Sequence, residues 1–123
     1  MAGKIIADTI ETGAGADIST SYVVNGSAKA WAAIDPNVID ESFNIASLTD
    51  QAGGDFDYNF TSLFTNVDYS TSGSKQNTSN NDSDINALYT LSSSSATRQR
   101  YFESSTTLRD PVNANVTVHG DLA

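Results

Sequence analysis

The segment DFDYNF, residues 55–60, restricts the fold more than any other stretch of the chain. In an extended chain successive side chains point to opposite faces, so Phe56, Tyr58 and Phe60 share one side while Asp55, Asp57 and Asn59 share the other. A helix would scatter the three rings around its surface. Rings of that size need cover, so the segment reads as a strand with one buried face and one wet, acidic face. The polar turn Thr49–Gly54 before it, ending in Gly53-Gly54, marks the near end of a β-hairpin.

The same rhythm of short strands broken by turns holds from residue 29 onward. Candidate strands are KAWAAI (29–34), VIDESFNIASL (38–48), DFDYNFTSLF (55–64), NVDYSTS (66–72), NALYTLSS (86–93), TRQRYFES (97–104) and ANVTVHG (114–120). Pro36 and Pro111 fall between strands, where a missing N–H does no damage. The polar run TSGSKQNTSNNDSD (71–84) holds no apolar residue and reads as an exposed loop. The expected fold is all-β, a small antiparallel β-sandwich or barrel over residues 29–123. Its expected core comprises Trp31, Phe43, Ile45, Phe56, Tyr58, Phe60, Val116 and Val118.

Residues 1–28 differ in character. They hold four of the chain's eight glycines, and their apolar residues are Ile5, Ile6, Ile10, Ile18, Tyr22, Val23 and Val24. β-Branched and aromatic residues favour extended chain, so this reads as an extended N-terminal arm that reaches at most roughly 90 Å. One strand cannot bury its own apolar side. Ile5, Ile6, Ile10, Ile18, Tyr22 and Val24 are therefore the candidate assembly and attachment residues.

Composition narrows the functions open to such a chain. With 15 acidic against 6 basic residues the net charge is -9, which repels nucleic-acid phosphates and anionic membrane surfaces. The absence of cysteine removes disulfides, thiolate nucleophiles and thiolate metal sites. The opening MAGKIIADTIETG is too acidic, and its apolar run too short, for a signal peptide, and no stretch reads as a membrane span. The expected setting is a soluble protein made in a cytoplasm.

The residues offer little catalysis. Asp55 and Asp57 share a face and could divide acid and base work, but a solvated acidic face has the same pattern. His119 is the single histidine, which rules out a multi-histidine metal site, and no serine sits in a nucleophile-elbow pattern. The cluster NNDSD (80–84) offers oxygen ligands but lacks the glycine and closing glutamate of an EF-hand loop. Arg98, Arg100 and Phe102 share a face that suits a protein or sugar contact, or that pairs with nearby acids. The expectation is a protein that is not an enzyme and carries neither cofactor nor metal.

The order of motifs adds a resemblance. KIIADTIETGAG, Lys29-Ala30-Trp31, Ser42-Phe43-Asn44, Thr49-Asp50, Gly54-Asp55-Phe56 and the closing VNANVTVHGD resemble, in sequence order, tail-fibre-like virion proteins of marine bacteriophages. The likeness runs from about residue 4 to 121. Phe56 stands where tyrosine is usual, and the polar insertion at 71–84 departs from the pattern. The resemblance implies a homotrimeric tail fibre or host-contacting appendage subunit located in the virion, the arm meeting its own copies or other virion proteins. The alternative is a capsid cement or decoration protein with no receptor role. A host receptor or glycan would then meet the variable loop, with Lys75, Asn77, Asn80, Asn81 and Asp82 as candidate contacts.

Overall fold

The computed structural model describes residues 7–11, 13–35, 37–76, 92–102 and 107–123. Two four-stranded antiparallel sheets face each other, as the alternation predicts. The first contains β3 (Ala30–Ile34), β4 (Ile39–Phe43), β7 (Ser70–Gln76) and β10 (Asn113–His119), in the order β4-β3-β10-β7. The second contains β5 (Ile45–Ala52), β6 (Asp55–Phe60), β8 (Ser92–Ser93) and β9 (Ala96–Arg100), in the order β5-β6-β9-β8. The N-terminal segment forms a separate hairpin of β1 (Thr9–Glu11) and β2 (Asp17–Ser19), followed by helix α1 (Thr20–Gly26).

The core lies between the two sheets. From the first sheet it takes Ala30, Ala32, Ile34, Ala114, Val116 and Val118; from the second, Ile45, Phe56, Tyr58 and Phe60. Small side chains on β3 leave room for the rings of β6, the size alternation that dense packing requires. Phe60, Phe64 and Tyr69 close one end, with ring centroids 4.6 to 5.7 Å apart. The Tyr69 hydroxyl anchors this group by donating to the carbonyls of Ser93 and Ala96.

The two sheets are joined at a corner made by one residue. The segment 38–48 was expected as a single strand, yet Asn44 adopts a left-handed φ of 56° and divides it into β4 and β5. Asparagine tolerates that conformation better than other non-glycine residues. Its side chain also holds the corner: Nδ2 donates to the carbonyls of Lys29 and Ser62, and Oδ1 accepts from the Ser62 N–H at 2.6 Å. Replacing Asn44 with alanine should lower the unfolding free energy by about 3 kcal/mol, from left-handed strain plus the lost hydrogen bonds. Asn44→Gly should recover only the backbone share, about 1 kcal/mol. Equal urea midpoints for Asn44→Ala and the wild type would show that the corner does not depend on this side chain.

Three expectations need correction. Trp31 and Phe43 are not core residues: they are Cα partners on the outer face of the first sheet, 38% and 53% exposed. The turn at Asn44 breaks the alternation that linked Phe43 to the buried Ile45. Second, the strand expected over 66–72 is β7 at Ser70–Gln76, so residues 73–76 are strand where a loop was expected, and 77–84 lie outside the described residues. As an edge strand, β7 is specified by backbone pairing with β10 along its whole length, and its Ser, Thr and Gly side chains leave no apolar signature. Gly73 permits the pairing, because a Cβ there would lie 2.3 Å from the Asn115 carbonyl oxygen. Third, the described part of the arm is a hairpin and a seven-residue helix, not one extended strand. Ser19 caps the helix by accepting from the Ser21 N–H, and Thr20 ties it back to the carbonyls of Ala7 and Asp8.

Candidate functional site

The acidic face of β6 is a charge ladder. β9 pairs with β6 so that Asp57 lies opposite Arg98 and Asp55 opposite Arg100. Arg98 grips Asp57 through two hydrogen bonds, Nε to Oδ1 at 2.6 Å and Nη2 to Oδ2 at 2.8 Å, the bidentate geometry a guanidinium favours. Arg100 Nε donates to Asp55 Oδ2 at 2.9 Å, and Arg98 Nε lies 3.6 Å from Asp55 Oδ1. Asp55 is only 6% exposed, so the expected wet face is dry at this end, and its burial is matched by two cations. Gln51 adds a donor to Asp57.

The hydrogen bonds from Arg98 hold the Asp57 carboxyl below its ordinary value of 3.8, more than burial raises it. A carboxyl so shifted is an anion at neutral pH and a poor proton donor. A depressed folded-state pKa adds stability that is present above the unfolded value and is lost as pH falls through the folded one. The stability lead of the wild type over Asp57→Asn should therefore be constant above about pH 5 and shrink progressively below pH 3.8. Denaturant midpoints measured across that range give the comparison; a lead independent of pH would contradict the pairing.

The outer face of the first sheet has a different chemistry. Trp31, Ala33 and Asp35 follow one another along and just beyond β3; Asn113, Asn115 and Thr117 stand beside them on β10, and Ser72, Ser74 and Gln76 on β7. An open cavity of about 330 Å³ occupies the end of this face away from Trp31, with Asp35, Asp40, Ser74, Gln76, Asn113 and Asn115 on its walls. The Asn115 amide donates to Ser74 Oγ at 2.7 Å and its oxygen accepts from the Ser74 N–H. Asn113 Nδ2 donates to Gln76 Oε1 at 3.1 Å, and with its amide turned over it would donate instead to Asp35 Oδ1 at 3.3 Å.

The candidate receptor contacts fall unevenly on the structure. Lys75 lines the same cavity, and its ammonium donates to the Phe102 carbonyl just beyond β9. Asn77, Asn80, Asn81 and Asp82 lie outside the described residues, as do the whole NNDSD cluster and the attachment candidates Ile5 and Ile6. The remaining attachment candidates, Ile10, Ile18, Tyr22 and Val24, are all exposed, as is Val23. Among the described residues no group of three or more metal-ligating side chains comes together, and no helix is long and apolar enough to cross a membrane. Compared with known families, curated proteins and solved structures, the chain matches no family model, no curated protein and no solved structure.

Proposed function

We propose that the chain is a structural subunit of a bacteriophage virion, a trimeric tail fibre or host-contacting appendage whose N-terminal arm makes the assembly contact. The observation that carries this reading is the arm. Ile10, Ile18, Tyr22, Val23 and Val24 are between 42% and 76% exposed, and helix α1 buries none of its residues. A run of apolar side chains left in water is the mark of a surface that another chain covers. The order of motifs resembling tail-fibre-like proteins supplies the setting, and the acidic-to-arginine ladder serves as scaffold rather than chemistry.

Self-association is the measurable consequence. The 13.0 kDa chain should sediment at micromolar concentration with three times its monomer mass. The triple variant Tyr22→Ser, Val23→Ser, Val24→Ser should sediment as a folded monomer, because most of a helical turn has lost its apolar side chains while the sandwich keeps its core. A sharp monomer for the wild type would overturn the trimer and favour the cement role, in which the arm lies on a capsid shell.

A further inference from the structure

We infer that the outer face of the β4-β3-β10-β7 sheet is a binding site for a neutral oligosaccharide, with Trp31 as the stacking platform and the cavity beside Asp35 and Asn113 as the seat of a sugar ring. The inference deepens the appendage reading and rests on it for its biological setting, since it names what such an appendage would hold.

A saccharide presents two kinds of surface: apolar C–H faces, and edges carrying hydroxyls that both donate and accept. The face offers a counterpart to each. Trp31 lies 38% exposed on the sheet, beside the more exposed Phe43, so a large ring stays open to solvent where burial would have been favourable. Two residues along β3, roughly 7 Å, separate Trp31 from Ala33 at the cavity floor, a spacing comparable with one sugar unit. Ala33, which lines the cavity, adds only a methyl group to this face.

The cavity walls supply planar polar groups already fixed in place. Asn115 is held by Ser74, and Asn113 lies between Gln76 and Asp35. Each amide and carboxylate has more hydrogen-bonding positions than these contacts use, so the wall is still able to donate and accept. Pre-oriented donors and acceptors lose little entropy on binding, and a cavity of about 330 Å³ falls within the ordinary size of small-ligand sites.

Charge selects among ligands. The chain carries a net charge of -9, and on the cavity wall Asp35 and Asp40 outnumber one cation, Lys75, whose ammonium donates to the Phe102 carbonyl. Uronic-acid or sulfated glycans and nucleic acids meet repulsion there, while a neutral sugar meets acceptors for its hydroxyls.

The single tryptophan of the chain makes the test direct, because all indole fluorescence reports on position 31. The full chain is titrated with cellohexaose, maltohexaose and chitohexaose as neutral probes and with oligogalacturonate as the anionic one. At least one neutral probe should give a saturable fluorescence change that persists at high salt, and oligogalacturonate should give none. By calorimetry, Trp31→Ala should weaken that binding on the order of 30-fold or more, and Asn113→Ala on the order of 5-fold, with unchanged circular dichroism. No response to any neutral probe overturns the inference, as does binding that Trp31→Ala leaves intact. Fluorescence that changes only with a Lys/Arg-rich peptide, or only with protein concentration, overturns it in favour of a protein partner. Sedimentation reads the arm and sugar binding reads the sheet, so loss of the trimer and loss of this site are separate results.

Discussion

Gly54→Ala should cost at least about 4 kcal/mol of stability, whereas Gly53→Ala, one residue earlier, should change it by less than about 1 kcal/mol. The two glycines form the turn between β5 and β6 and look equivalent in the sequence. Gly54 is buried with a left-handed φ of 74°, a conformation costly for any residue with a Cβ. The space is closed as well. A Cβ there would lie 2.6 Å from the Arg109 nitrogen, 2.6 Å from the Tyr101 oxygen and 2.7 Å from the Arg109 oxygen, all backbone atoms that cannot rotate away.

Those atoms belong to a network that Gly54 itself organises. Its carbonyl accepts from the Tyr101 N–H at 2.7 Å, and its N–H donates to Asp110 Oδ1 at 2.6 Å. The other oxygen of Asp110 accepts from Asn37, so one carboxylate ties the turn of one sheet to the turn of the other. Displacing Gly54 disturbs all of these contacts together. Around Gly53 the nearest atom to an added Cβ is Asp110 Oδ1 at 3.9 Å, which is ordinary contact. Since small domains are stable by roughly 5–15 kcal/mol, Gly54→Ala should leave a fraction of the protein unfolded at room temperature. Urea titrations of both variants decide the matter, and similar midpoints would remove the special role given to Gly54.

What the sequence could tell depended on whether period and burial agreed. In β6 they agree for the rings, since Phe56, Tyr58 and Phe60 are buried as expected. The same holds for Val116 and Val118 in β10. Asp55, on the opposite face of β6, is buried too, against the two arginines. In β3 they conflict. Trp31 is the most apolar-looking residue of KAWAAI, but it shares its parity with Lys29 and Asp35, while Ala30, Ala32 and Ile34 share the other. The polar ends of that odd series were the signal that its face is open, and the weight given to one large ring hid it. The second half of β7, residues 73–76, lacks a signal for the opposite reason: its partner is backbone, and no side-chain pattern records backbone pairing. The charge ladder was half visible. Arg98 and Arg100 share a face by period alone, but matching them to Asp57 and Asp55, 41 and 45 residues away, needs the register between strands, which only the fold supplies.

The core also holds a polar pair whose removal should show how asymmetric buried hydrogen bonds are. Tyr58 and Tyr101 are both nearly inaccessible, and their hydroxyls meet at 2.8 Å between the sheets. Tyr58→Ala should cost about 3–5 kcal/mol through the cavity it opens, with a further cost from the Tyr101 hydroxyl left alone. Tyr58→Phe keeps the ring and isolates only that hydroxyl, so about 1–3 kcal/mol is expected. Adding Tyr101→Phe should return most of this loss, because two apolar rings leave no polar group unsatisfied. Alkali provides an independent reading. Burial pushes the Tyr101 phenol from 10.0 up to about 12 and drives Tyr58 further in the same direction, aided by its neighbour. A raised folded-state pKa means stability that is complete below pH 10 and lost as pH climbs through the folded value. In the wild type, tyrosinate absorbance from these two phenols should therefore appear only together with loss of the folded circular dichroism signal. In the double Phe variant, stability should decline less steeply above pH 10. Ionisation of both phenols near pH 10 in a chain that remains folded would show that the pair is open to water and that the two sheets do not close over it.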